Sequence, residues 1–238
     1  MPPRPRSAPS TSSPAASPAD ASAPPGTAAP AAPAPSTRDR LVQAMARALR
    51  ERGLHGVGLA EVLADAGAPK GVLYHHFPGG KTELATAAIA AVTEAMVQRL
   101  QALLAAGADP VAALTRWVGE AERQLVRSQF TAGCPLATVA LETTPDDQAL
   151  RQALDTAFVR IRSTVADALA ASGIPPARAQ MLAGLVLAAY EGGLLQARVA
   201  QDGAVLQSVL QGLVRWIESE IPGRSPATPH LPPTPEAS

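Results

Sequence analysis

The chain has one cysteine, two lysines, few aromatic residues and no net charge. The single cysteine, Cys134, excludes an intramolecular disulfide framework. Lys70 and Lys81 are the only lysines, and eighteen of the twenty basic residues are arginine. No apolar run reaches the ~20 residues of a membrane-spanning helix. The best candidate, MLAGLVLAAY, stops at Glu191. The first residues are rich in proline and arginine with no apolar stretch behind them, so no signal peptide is expected. These absences lead to the expectation of a soluble cytoplasmic protein with no membrane partner. A net charge of zero does not announce a nucleic-acid partner, and its distribution adds little. Thr37 to Thr86 carries seven Lys and Arg against five Asp and Glu, a surplus of two.

Strand signals are also missing. No segment alternates with period two for long, and Ala and Leu outnumber Val, Ile and the aromatics. What is present is a middle dense in helix signals between two ends of another composition. Residues 1–35, with SAPPGTAAPAAPAPS, and 222–238, with PGRSPATPHLPPTPEAS, have almost nothing large and apolar to bury, so both are expected to be disordered tails. Between them the 3.6-residue periodicity predicts nine helices and an all-α fold. The first has Thr37 as expected N-cap and buries Leu41, Met45, Ala48 and Leu49. GLAEVLADAG and PKGVLYHHF follow as two short helices joined at Gly67-Ala68. A long helix is expected from Lys81 to about Ala106, and another from Pro110 to about Phe130. A short one covers Pro135 to Glu142. Thr144-Pro145-Asp146-Asp147 reads as a helix start, with an N-cap, proline at N1 and acids near the positive end of the dipole. The last two helices open at GIPP and Asp202.

The stretch YHHFPGGKTEL ends like a phosphate-gripping G-x-x-x-x-G-K-[ST] loop. The first glycine of that motif would stand where His75 does, and a buried strand should come before it. Both requirements fail. A helix N-terminus at Gly80 with Lys81 beside it still suits an anion, and a DNA phosphate serves as well as a nucleotide. The two short helices before it have the layout of a helix-turn-helix. Leu59, Val62, Leu63, Leu73 and Phe77 would hold these helices together. Lys70, Gly71, Val72, Tyr74 and His75 are left for the outside. Gly71 inside a helix costs ~1 kcal/mol relative to alanine, which a close backbone approach to another molecule would explain.

GLAEVLADAGAPKGVLYHHFPGGKTEL strongly resembles the DNA-binding region of TetR-family transcriptional regulators. The pattern matches at Gly67, Lys70-Gly71, Leu73-Tyr74, His76-Phe77, Lys81 and Leu84, and covers about Ser36 to Met96. GCPLATVALE looks like a subgroup related to multidrug-type repressors. Gly58 and Ala68 depart from it, since the family more often has a hydroxyl and a polar residue there. The resemblance implies a DNA-binding region over 36–96, with its helix-turn-helix at 58–77, and a ligand-binding and dimerisation domain over 97–221. It implies that Lys70 and Gly71 reach base edges, that Tyr74 and His76 contact phosphates, that Lys81 grips the backbone, and that His75 faces the groove.

By the same resemblance the larger half forms a ligand chamber and a homodimer. The last two helices carry Leu182, Leu185, Val186, Ala189, Leu206, Val209, Leu210 and Leu213 at helical spacing. That pattern fits a monomer core or a four-helix interface, and the resemblance favours the interface. A pocket needs apolar walls and a few polar groups. The aromatic candidates are Trp117, Phe130, Phe158 and Tyr190. The polar ones are Cys134, Glu142, Glu191 and Gln196. No metal or cofactor is expected: neighbouring His75 and His76 diverge on a helix and share no ligand spacing with Cys134. No acid–base pair or nucleophile elbow supports an enzyme. The expectation is a dimeric ligand-responsive transcriptional regulator, a repressor that binds palindromic double-stranded operator DNA and is released by a small apolar or aromatic inducer. The alternative is an enzyme or helical interaction module that uses the chamber without DNA.

Overall fold

A computed structural model describes residues 35–107 and 109–224. Except for residues 35 and 222–224, the two expected tails lie outside them. The described residues form nine α-helices and no strand: α1 Thr37–Arg52, α2 Leu59–Asp65, α3 Lys70–His76, α4 Gly80–Ala105, α5 Pro110–Arg127, α6 Pro135–Glu142, α7 Gln148–Ala171, α8 Pro176–Ala200 and α9 Ala204–Glu220. The all-α expectation holds.

Helix starts follow side-chain chemistry, in several places differently from the expectation. The N-cap of α1 is Ser36, not Thr37. Its hydroxyl accepts from Asp39 N–H while Asp39 accepts from Ser36 N–H, a complete capping box. That bonding to Ser36 holds the Asp39 carboxyl below its usual pKa. The helix expected at Thr144 begins only at Gln148. Asp147 accepts from both the N–H and the hydroxyl of Thr144, each at 2.8 Å, and closes a turn of its own before the helix starts. Asp109 caps α5 by accepting from Ala112 N–H, with Pro110 in the first turn as expected.

The four N-terminal helices pack around Leu41, Met45, Leu49, Leu73, Phe77 and Leu84, each at most 1 % exposed. Gly67 turns the chain between α2 and α3 with φ +58°, a left-handed conformation that costs other residues more. Ion pairs Arg47–Asp65 and Arg52–Glu61 tie α1 to α2 across the outside. The helix α4 continues from this unit into the larger half, where it packs on α5 and α7. There α7 packs on α8, and α8 on α9.

The region after α1 is the second junction. Gly53 has φ +70°, and the Glu142 carboxylate from the end of α6 lies where a side chain at Gly53 would stand. That carboxylate accepts the N–H groups of Leu54 and His55. Beside it, Gly133 N–H donates to Arg50 O (3.0 Å) and the Arg198 guanidinium donates to Glu51 O (3.2 Å). Three elements of the larger half thus hold residues 50–55.

Candidate nucleic-acid interface and ligand cavities

The helix-turn-helix expected over 58–77 is α2, the turn at Gly67, and α3. Leu73 is buried and turns α3 inward, leaving Lys70, Gly71, Tyr74 and His75 exposed, with Val72 and His76 half-buried. Tyr74 is 51 % exposed, so it is no core aromatic. Its ring edge lies 3.6 Å from where a Cβ on Gly80 would be. Gly80 itself has φ +64° and opens α4 one residue before the expected start. Lys81 follows, half-buried.

The cations of this region fall into two groups. Arg47 and Arg52 have carboxylate partners, and Arg40 donates to Ala66 O at 3.0 Å. Lys70 and Lys81 have no anionic partner among the described residues. Arg38 also lacks one and lies over the Phe77 ring, 5.1 Å from its centroid. Sequence reasoning passed over Arg38, because at the start of α1 it reads as an ordinary solvated charge. The anion site expected at the head of α4 is partly filled from within. Gly79 N–H donates to Glu83 Oε2 at 2.7 Å.

Two cavities of the larger half bring candidate residues together. The first, of about 400 Å³, brings Trp117, Tyr190 and Cys134 together. Trp117 and Tyr190 stack with centroids 5.2 Å apart, and Trp117 Nε1 donates to Met96 O at 3.2 Å. Four arginines line it, Arg50, Arg99, Arg123 and Arg127, against the single carboxylate of Glu120. Arg99 grips Glu120 with two bonds from Nε at 2.7 and 3.0 Å, and this holds the Glu120 carboxyl below its usual pKa. None of these charged residues was a sequence candidate. Glu120, Arg123 and Arg127 are spaced three and four apart on α5, a pattern that reads from sequence as a solvated face.

The second cavity, of about 340 Å³, is nearly all apolar and joins Cys134, Phe158 and Glu191. Phe130 and Glu142 line neither cavity. Phe130 N–H closes the turn after α5 onto Leu125 O, and Glu142 is committed to the backbone of residues 54–55. Gln196 is exposed and donates to Gly192 O. The dimer candidates divide as well. Leu182, Val186 and Leu206 are 0 %, 2 % and 0 % exposed, already inside the protomer. Leu185 is exposed, while Ala189, Val209, Leu210 and Leu213 are half-buried. The helical phase of α8 is one residue from the expected one, and its outer stripe is Met181, Leu185, Ala188, Leu195 and Val199.

Cys134 and Glu191 meet at the wall of the second cavity. Burial, then the nearby Glu191, pushes the Cys134 thiol well above its usual pKa, the opposite of a reactive thiolate. Burial raises Glu191 to about 7; the neighbouring Cys134 thiol works against the rise, yet no hydrogen bond of ordinary geometry reaches either carboxyl oxygen. Folding therefore favours the protonated acid. Its contribution is fully present below about pH 4.5, the unfolded value, and is lost as the pH rises through about 7. The shift corresponds to about 3 kcal/mol at most. Glu191→Gln should match the parent near pH 4.5 and become the more stable protein at pH 8. Urea denaturation at both pH values checks this. A stability difference that does not change with pH would contradict the burial of an orphan acid here.

Comparison with known proteins places this architecture. Residues 41–88 match the family model of bacterial regulatory proteins of the tetR family, and residues 110–211 match the LmrA/YxaF-like transcriptional regulator C-terminal domain. An uncharacterised HTH-type transcriptional regulator of Mycobacterium tuberculosis is 35 % identical over 193 residues, 79 % of this chain and 97 % of that protein. The HTH-type transcriptional regulator LmrA of Bacillus subtilis is 31 % identical over 71 % of this chain and 90 % of its own. Among solved structures, the regulatory protein TetR from Rhodobacter sphaeroides superposes with a TM-score of 0.66 at 28 % identity, covering 75 % of this chain and 97 % of that one. With its helix-turn-helix, its long α4 and its helical C-terminal half, the chain belongs to the TetR family of DNA-binding transcriptional regulators.

Proposed function

We propose that the protein is a homodimeric repressor that binds a palindromic operator through α3 and the head of α4, and that a small molecule held in the larger half releases it. The observation that carries the DNA contact is the pairing of charges. Arg40, Arg47 and Arg52 are tied within the protein, whereas Lys70 and Lys81 have no ionic partner among the described residues and lie near the exposed Tyr74 and His75. Lys70 and Gly71 lie at the N-terminal end of α3, the part of a recognition helix that meets base edges. In this reading Tyr74, His76 and Lys81 meet phosphates, and Val72 and His75 face the groove. The test uses a duplex selected by the protein from random sequences. Lys81→Ala should weaken binding to all duplexes and lower the slope of log affinity against log salt by about one. Lys70→Ala should also reduce discrimination between the selected duplex and a scrambled one. Anisotropy titrations in which neither variant differs from the parent would remove both residues from the interface.

The dimer surface is supported by what α8 leaves uncovered. Leu185, Leu195 and Val199 are 37 %, 56 % and 79 % exposed, with Trp216 of α9 at 40 %. Gly184 and Gly192 in α8 and Gly212 in α9 would each meet nothing with an added Cβ. A helix-interior glycine costs ~1 kcal/mol, and no contact within the protomer accounts for these three. A second copy approaching closely along α8 and α9 would. Two recognition helices about 34 Å apart then read a palindrome. Leu185→Glu combined with Leu195→Glu should give folded monomers with greatly reduced operator affinity. Light scattering that still reports a dimer would rule this surface out.

Two routes join the cavities to the DNA face. One is α4, about 39 Å long at 1.5 Å per residue, which begins at the DNA side and carries Met96 and Arg99 to the first cavity. The other is the clasp on residues 50–55 by Glu142, Gly133 and Arg198. A ligand that favours another arrangement of either shifts the equilibrium only by its preference for that state, typically ~1–3 kcal/mol. Glu142→Ala leaves the N–H groups of Leu54 and His55 without an acceptor, at a cost of about 1–2 kcal/mol. Amide exchange at these two residues should quicken and operator affinity should fall, with the dimer intact. Unchanged operator affinity despite faster exchange would dismiss the clasp as a route.

A further inference from the structure

The first cavity has a charge pattern that neither the helix-turn-helix nor the fold requires. Its base is the stacked pair Trp117 and Tyr190, 6 % and 7 % exposed, so the ring faces are shut from bulk water except through the cavity. Its rim carries Arg50, Arg99, Arg123 and Arg127 with only Glu120 to balance them. Arg99 is bound to Glu120, and Arg123 also draws the Glu120 carboxyl down. Arg50 and Arg127 have no anionic side chain within ion-pair distance among the described residues. The sequence is balanced overall, so the excess here is local. An apolar floor under a rim of forked cations suits a flat body with one negative end. Guanidinium groups bind carboxylates through paired N–H bonds, about twice as strong as neutral ones.

We infer that the cavity between α1, α4, α5 and α8 binds an aromatic carboxylic acid, its ring against Trp117 and Tyr190 and its carboxylate among Arg50, Arg123 and Arg127. The inference rests on the reading of the protein as a ligand-responsive regulator and names the ligand's chemistry. The position of Arg50 gives the binding a consequence. Arg50 is near the end of α1, and its carbonyl accepts from Gly133, which lines the same cavity. An anion that draws Arg50 toward α5 pulls on the contact that holds the DNA-binding unit to the larger half.

The probes are 2-naphthoate, naphthalen-2-ylmethanol and naphthalen-2-ylmethylamine, one ring system with a negative, neutral or positive end. Calorimetry on the full-length parent protein at low salt should show the acid binding about tenfold more tightly than the alcohol, with the amine weakest, and added salt should shrink the acid's advantage. Arg123→Gln combined with Arg127→Gln alters exposed side chains only. It should reduce naphthoate affinity roughly tenfold, two rim contacts of a few-fold each, and leave the alcohol unchanged within about twofold. The variant's operator affinity reports that it is folded. The inference is overturned if the alcohol matches the acid, if no probe binds, or if the double variant keeps the acid's full advantage. A mobility-shift titration of the same acid against the operator complex separates the two readings. Naphthoate that binds as expected but leaves the operator complex intact supports the site and counts against induced release.

Discussion

Glu142 is the residue through which the halves of this protein are joined away from α4. It stands at the last turn of α6, yet its carboxylate serves the chain eighty-eight residues earlier, accepting from Leu54 and His55. The contact asks something of both sides. The chain must turn at Gly53 with φ +70° and with no side chain in the way. The helix α6 must end where its final carboxylate meets exposed backbone donors. Gly133 and Arg198 complete the grip with bonds to carbonyls of residues 50 and 51, so donors and acceptors at the end of α1 are both engaged from the larger half. Backbone groups at a helix C-terminus need partners in any case. Here those partners come from segments that also wall the cavities, so what fills the cavities can act on how α1 is held.

The two kinds of cation divide the work in a way their chemistry explains. Arginine, with a planar fork of donors, makes the fixed contacts: Arg47 and Arg52 to carboxylates, Arg40 and Arg198 to carbonyls, Arg99 to Glu120, Arg178 to Glu220. The two lysines are left at the helix-turn-helix without internal partners. A compact ammonium on a flexible stem suits a phosphate whose position varies between DNA sites, where a fork would demand one geometry.

The helices were legible in the sequence because each carries its own signals. The Leu41, Met45, Ala48 and Leu49 stripe lies buried, and Pro110, Pro135 and Pro176 stand in first turns. The helix-turn-helix was legible for a further reason: its turn, its buried Leu73 and its exposed Lys70 lie within one short stretch. Errors arose where a local rule met a competing bond or a tertiary choice. Asp147 turned back to Thr144 and delayed α7. Glu142 read as a pocket carboxylate because nothing near it in sequence announces Leu54 as its partner. Leu182 and Val186 fit an interface by periodicity, but α8 has apolar residues on more than one face, and periodicity does not say which face the protomer uses. The rim arginines were invisible for the same reason, since an exposed charge and a charge gathered with others at a cavity look alike along the chain.

Departures from local comfort are concentrated around the cavities of the larger half. Gln129 and Phe130 are consecutive non-glycine residues with positive φ, 52° and 61°, a conformation that costs roughly 1 kcal/mol or more apiece. They lead into Ala132, Gly133 and Cys134, the wall of the first cavity. Glu191 lines the second cavity with no hydrogen-bond partner for either oxygen. Glycines interrupt α8 on its uncovered side. The DNA-binding unit shows the reverse: its left-handed turns fall on glycine, at Gly53, Gly67 and Gly80, and its ion pairs are satisfied on the surface. The proposed release asks for one unit rigid enough to present a recognition helix and another able to take up two arrangements. An unpaired acid, a strained turn and open helix faces lower the cost of rearranging the larger half without loosening the smaller one.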